Sequence, residues 1–224
     1  MSGHSHSHFT ESVEEYLEAV YRLEHEGPGV TTSGLASALG VAPASVSGML
    51  KKLAKDGYVQ QISRGEVKLT EKGLAVGVRV LRRHRIAERF LTDVLGMPWD
   101  QVHDEACVLE HAISAKVEER LLHLLNEPST CPHGQPIPPS DLSAPVRDGE
   151  PLAQVPEGTH GRVESVTEEF PEILRYLAEI GLRPGIAITL VSKAPLGGPL
   201  TIAIDGKQHA ISLELAALVT VHTN

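Results

Sequence analysis

The sequence predicts three parts: a mainly α N-terminal winged helix, a second helical domain, and a small C-terminal β-barrel. Three observations carry this. Residues 10–56 hold three amphipathic runs, the last two flanking a tight turn. Residues 70–125 hold two longer runs of helical period, interrupted at Gly96-Met97-Pro98. Beyond residue 159 the apolar residues fall in short β-prone runs separated by Gly, Pro and Asp-Gly turns. A chain of 224 residues has material for two or three domains. The expected divisions are a disordered His-rich tail at 1–9, the winged helix at 10–71, the helical domain at 72–140, a linker at 141–158 and the barrel at 159–224.

Residues 10–26, TESVEEYLEAVYRLEHE, read as the first helix. Thr10 or Ser12 can cap it, acids fill the first turn where the helix dipole favours them, and Val13, Tyr16, Leu17, Val20 and Tyr21 make its apolar stripe. Glu14, Glu15 and Glu18 lie near its N-terminal end. After Gly27-Pro28-Gly29, two short helices surround the turn GVAP, with Ala36, Leu39, Val41, Val46 and Leu50 at the spacing of a helix-turn-helix core. Thr32 or Ser33 is expected to cap the first and to join the face offered to a polyanion. The second, Ser45 to Asp56, turns Ser45, Ser47, Gly48, Lys51 and Lys52 outward. Hydroxyls and a bare glycine suit base edges, and lysines suit phosphates. Tyr58–Ile62 and Val67–Thr70 then form a hairpin, the wing, with Arg64 at its tip.

From Thr70 helical periodicity runs unbroken to Gly96, and a second long helix is expected to begin at Pro98, an early helical position. So short a connection folds the two back antiparallel. Their apolar residues, among them Leu81, Ile86, Leu91, Val94, Val108, Ile113, Val117, Leu122 and Leu124, exceed what two helices bury between themselves, which points to a two-fold dimer. STCPHGQPIPP follows as a proline-rich turn whose Cys131 and His133 could ligate metal, though a two-residue spacing in a loop without further partners is more often structural. The tail offers GRVESV, IAITLVS, LTIAID, HAISL and LVTVH as strands and PEILRYLAEIGLRPG as one helix stopped at Gly181, which fits a five-stranded barrel.

Charge and cysteine usage narrow the function. Net charge is −9, yet between Ser45 and Arg85 ten Lys and Arg face three acids. A basic segment in an acidic chain is the footprint of a local polyanion contact. Two cysteines make no disulfide framework, so a reducing cytoplasm is expected, and no apolar run approaches the ~18 residues of a membrane span. His103, Cys107, Glu110 and His111 stand at i, i+4, i+7 and i+8 and so share one helix face at roughly 100° per residue. His84 and Glu88 stand at i and i+4 on the preceding helix. Imidazole, thiol and carboxylate are the ligands of first-row transition metals.

The strings HRIAERFLTDVLG, VHDEACVLEH and GQPIPP, with a winged helix before them and a small barrel after, closely resemble the diphtheria toxin repressor family of metal-dependent regulators. The resemblance covers nearly the whole chain after residue 10. It implies an SH3-like or FeoA-type barrel, a homodimer that represses transcription from operator DNA, and two metal sites per subunit. One, ancillary, uses His84, Glu88 and His103, completed from VTEEFPEIL by Glu169 or Glu172. The other, regulatory, uses Cys107, Glu110, His111 and a residue of the first helix. Iron-responsive members place Met there and this chain has Glu15, whereas manganese-responsive members carry an acid there but a Glu at the position of Cys107. The added carboxylate leans the site toward Mn²⁺, with Fe²⁺ next. Two rivals share the donor set: a metalloenzyme, against which no nucleophile–base pair or phosphate loop accompanies the ligands, and a regulator sensing an organic ligand through its barrel, with structural metal.

Overall fold

The computed structural model describes residues 10–25, 29–61, 67–141, 149–167 and 170–223. The expected His-rich tail, Arg64 and Glu169 lie outside these residues. The chain divides into two compact units, one of residues 1–83 with 110–112 and 138–143, the other of 84–109, 113–137 and 144–224.

In the first unit, α1 (Glu11–His25), α2 (Thr32–Ala38) and α3 (Pro43–Lys55) surround a core of Val13, Leu17, Val20, Leu35, Val46, Leu50 and Leu53. The cap of α2 is Thr31, one residue before the expected pair, with its Oγ1 accepting from Gly34 N at 2.9 Å. α3 starts two residues earlier than expected because Pro43 occupies the first turn, where its missing N–H costs nothing. β1 (Val59–Gln61) and β2 (Val67–Leu69) pair antiparallel, Val59 opposite Leu69, as the two legs of the wing. Thr70 caps α4 (Glu71–Asp93), accepting from Gly73 N at 3.1 Å. A Cβ on Gly77 would stand 2.6 Å from Leu17 O, so the glycine lets α4 run against the backbone of α1. That close approach fixes the helix carrying Glu14, Glu15 and Glu18.

In the second unit, α5 (Val102–Ala112, its last three residues counted with the first unit) and α6 (Ala115–Leu124) replace the single helix expected from Pro98. The helix starts later, and it breaks at Ile113. Ser114 takes an extended conformation and caps α6 by accepting from Val117 N at 3.3 Å, a side-chain bond that competes with helix continuation. Ala87, Leu91, Val102, Ala106 and Ile113 form the core here. Of the apolar surplus, Ile86, Leu91, Ile113 and Leu122 are buried, but Val94, Val108, Val117 and Leu124 stay exposed, Val108 at 72%.

The C-terminal strands form an antiparallel sheet of six rather than five strands, in the order β3 (Glu150–Pro151), β8 (Val219–Thr223), β4 (His160–Val166), β5 (Ala187–Lys193), β6 (Leu200–Ile204), β7 (Lys207–Ile211). β3 falls within the expected linker. α7 (Pro171–Glu179) ends as expected, with Gly181 at φ +81, and a short α8 (Leu213–Ala217) precedes β8. Leu174, Leu177, Val163, Leu190, Ile202 and Val221 make the core, and Trp99 from before α5 joins it. Among the described residues no single helix is long and apolar enough to cross a membrane.

Candidate metal centre

In the first unit, Glu14 and Glu18 share one face of α1, being i and i+4, while Glu15 is turned about 100° from Glu14. Glu18 is buried and has a carboxylate oxygen within 4.8 Å of one from Glu110, which is 1% exposed. Two buried carboxylates this close repel unless a cation or proton lies between them. Beside them His111 places Nδ1 2.7 Å from Glu14 Oε2 and Nε2 3.3 Å from Glu110 Oε1. The hydrogen bond to Glu14, against the pull of burial and with the charges of Glu110 and Glu15, raises the pKa of His111. Nε2 is buried and has no hydrogen-bond partner among the described residues. An imidazole whose Nδ1–H is held by a carboxylate and whose Nε2 faces further carboxylates is set up as a metal ligand.

Glu15, the acid expected in this position, is exposed. It lines a groove of about 450 Å³ with Ser12, Tyr16, Leu39, Val41 and the α3 residues Ser45, Gly48, Met49 and Lys52, and among the described residues it joins no group of metal-type donors. Its charge still reaches His111. The face of α1 that meets His111 carries Glu14, and Glu18 one turn on lies beside Glu110.

In the second unit, His84, His103 and Cys107 bring donor atoms within 4.8 Å of one another. Cys107 Sγ lies 3.6 Å from His103 Nε2 and 4.0 Å from His84 Nδ1. His84 Nε2 lies 3.3 Å from Glu88 Oε1, the i, i+4 pair read from the sequence. The same Glu88 oxygen lies 3.3 Å from His133 Nδ1, which is 3.8 Å from Cys131 Sγ. Glu88, Cys131 and His133 are all buried and form a third donor group. Burial pushes the Glu88 carboxyl up, but the charge of His84 and hydrogen bonds from His133 and His84 prevail and hold it well below the usual carboxylate range. Burial likewise works to lower His133, and its contacts with Cys131 and Glu88 instead carry it up to about 10.

Cys131 and His133 stand with Glu88 in a donor group that the sequence reading did not assemble. The C-x-H spacing in a proline-rich turn was visible, but the third donor stands on α4, too far along the chain for any periodicity to show. Glu172, expected to complete the ancillary site, is exposed on α7 and belongs to no donor group among the described residues.

Along α3, Ser45, Ser47, Gly48, Lys51 and Lys52 are exposed as expected. Ser47 donates its hydroxyl to Pro43 O at 3.0 Å, which leaves it an acceptor only. At the start of α2, Ser33 is exposed and Thr32 half-buried.

Comparison with known proteins agrees along the whole chain. The family model described as "Iron dependent repressor, N-terminal DNA binding domain" matches residues 8–66, "Iron dependent repressor, metal binding and dimerisation domain" matches 70–139, and "FeoA domain" matches 150–223. The iron-dependent repressor IdeR of Mycobacterium tuberculosis (strain ATCC 25618 / H37Rv) is 35% identical, over 94% of this chain and 96% of its own. The diphtheria toxin repressor of Corynebacterium diphtheriae (strain ATCC 700971 / NCTC 13129 / Biotype gravis) is 30% identical over 94% and 96%. Among solved structures, a manganese-dependent transcriptional repressor in complex with manganese superposes with a TM-score of 0.89 at 32% identity, covering 95% of this chain and 100% of that one. The manganese regulator SloR superposes at 0.83, with 29% identity and coverage of 96% and 100%. All three family models match this chain in order, each of these proteins is covered over nearly its whole length, and the chain belongs to the diphtheria toxin repressor family of metal-dependent transcriptional regulators.

Proposed function

We propose that this chain is a homodimeric, cytoplasmic repressor that grips operator DNA when divalent metal, Mn²⁺ first and Fe²⁺ next, occupies two sites per subunit. The observation that carries it is the pair of buried carboxylates, Glu18 of α1 and Glu110 of α5, drawn together beside the unbonded Nε2 of His111. A bound divalent ion would take both carboxylates and this nitrogen as ligands. Glu110, His111 and Glu18 then tie α1 to the end of α5, and Glu14 holds the His111 ring in the ligating tautomer. Glu15, which the resemblance assigns to the same centre, is kept as a proposed ligand on the strength of that resemblance and its charge at His111. Glu15→Met decides this: a metal ranking shifted from Mn²⁺ toward Fe²⁺ makes it a ligand, and an unchanged ranking leaves it on the surface.

His84, Glu88, His103 and Cys107 supply the donors of the second centre, with Cys131 and His133 reached through Glu88. Thr32, Ser33, Ser45, Gly48, Lys51 and Lys52 form the DNA face, and Arg64 at the wing extends it. Fixing α1 narrows the arrangements the two recognition helices of a dimer can sample, so that both meet half-sites about one helical turn apart. The test is a mobility-shift series on genomic fragments with Mn²⁺, Fe²⁺, Zn²⁺ and chelator. Promoter binding that persists in stringently demetallated solution overturns the reading.

Two further outcomes follow. Lys51→Ala should weaken binding to all DNA sequences alike and lower the salt-dependence slope by about one, as loss of one phosphate contact does. Val108→Glu puts a charge on an apolar side chain that is 72% exposed in the single chain, and should shift the dimer to monomer in sedimentation while leaving the melting temperature of the monomer fold unchanged.

A further inference from the structure

Among the described residues the His133 imidazole nitrogens face Glu88, Cys131 and the main chain of Trp99. Its Nε2 lies 2.8 Å from Trp99 O. A carbonyl only accepts, so Nε2 carries the hydrogen and Nδ1 is the atom turned to Glu88 and Cys131. The Trp99 carbonyl therefore selects which ring nitrogen faces the other two donors.

Trp99 is itself held from the other side. Its ring is 5% exposed and packs in the core of the six-stranded domain with the residues of α7 and the sheet. The His133 ring lies 5.4 Å from it, and Arg183 lies 4.8 Å from its centroid on the domain side. Its buried Nε1 has no hydrogen-bond partner among the described residues, a cost that phenylalanine would avoid. The far edge of the Cys131–Gln135 turn is stitched to the same domain. Val166 N donates to His133 O at 2.9 Å, and Gln135 Nε2 donates to Val166 O at 3.2 Å and Thr167 Oγ1 at 3.0 Å. A Cβ on Gly134 would stand 2.0 Å from Glu164 O, so the turn lies directly on β4.

We propose that Trp99 is a positioning residue for metal at Glu88, Cys131 and His133, and that the six-stranded domain sets the affinity of this centre by seating Trp99 and the Cys131–Gln135 turn. The inference rests on the reading that this triad takes metal. Groups that orient a ligating histidine are worth about 10–100-fold in metal affinity.

The test is Co²⁺ titration of the full chain in a Cys107→Ala background, where Cys131 is the remaining cysteine and a thiolate-to-cobalt charge-transfer band reports on it alone. Trp99→Ala should weaken Co²⁺ binding about 10–100-fold at a temperature where circular dichroism shows the fold intact, and Trp99→Phe should restore it. A merely structural Trp99 would lower the melting temperature without moving the affinity of the folded protein. If Trp99→Ala does not fold, Gln135→Ala takes its place, since it loosens the other edge of the turn and should weaken binding in the same direction. No thiolate band in the Cys107→Ala parent overturns the metal reading of the triad itself. A normal band with unchanged affinity in folded Trp99→Ala overturns the part assigned to Trp99 alone.

Discussion

Glu88→Ala is expected to abolish metal-dependent operator binding and to erase most of the pH dependence of stability in the metal-free protein. One carboxylate oxygen stands 3.3 Å from both His84 Nε2 and His133 Nδ1, so a single substitution strips the acid from two donor groups. Breaking a buried ion pair costs about 3–5 kcal/mol when the orphaned partner stays charged. Here the imidazoles can shed their protons, so the cost at pH 7 should be nearer the about 1–3 kcal/mol of an unsatisfied buried polar group. The pH profile follows from the directions of the two shifts. His133, raised from 6.5 to about 10, contributes stability that is complete below about pH 6.5 and is lost as pH rises through about 10. Glu88, held low, contributes stability present above the ordinary carboxylate value of 4.5 and lost as pH falls through its depressed value. Melting curves in chelator should therefore show a broad neutral maximum in the parent and a flatter profile in Glu88→Ala. An unchanged profile would mean that Glu88 and His133 are not paired in solution.

What could be read in advance sorts by whether the signal is local. The helix-turn-helix, the two strands of the hairpin, the Thr70 cap and the stop at Gly181 are written in adjacent residues. So does the pairing of His84 with Glu88, because i, i+4 geometry needs nothing but a helix. The break at Ser114 was legible only in hindsight: serine caps well, but the apolar period runs through it and periodicity outvotes one residue. The grouping of the donors was legible only in part: His84 stands near His103 as the resemblance implied, but Cys107 joins them. Which acid of α1 meets His111 depends on the rotation of α1 against α4, and that rotation is set by a glycine, Gly77, accepting the Leu17 carbonyl. The placement of His133 involves contacts with Trp99 and β4, residues with no sequence relation to the turn that carries it. The resemblance supplied the family and most of the donors, yet its division into two fixed sets differs from the contacts of Glu88, which faces His84 and His133 alike.

His111→Ala carries the second large effect, and Glu14→Gln separates orientation from ligation at the same ring. Removing the imidazole takes away the donor whose Nε2 faces Glu110, and leaves Glu18 and Glu110 as two buried carboxylates within 4.8 Å without it. Without the imidazole the centre keeps its carboxylates and loses its nitrogen donor, so metal is held more weakly. Metal-dependent DNA binding should vanish in His111→Ala while sedimentation still shows the dimer. Glu14→Gln keeps a hydrogen-bond acceptor near His111 Nδ1 but removes the charge that fixes the ring, so metal affinity should fall about 10–100-fold with full occupancy recovered at higher metal. The ordering of Mn²⁺, Fe²⁺ and Zn²⁺ in such titrations should stay as in the parent, because no ligand has changed. A reordered series would make Glu14 a ligand in its own right, and a normal response in His111→Ala would remove the α1–α5 centre as the switch.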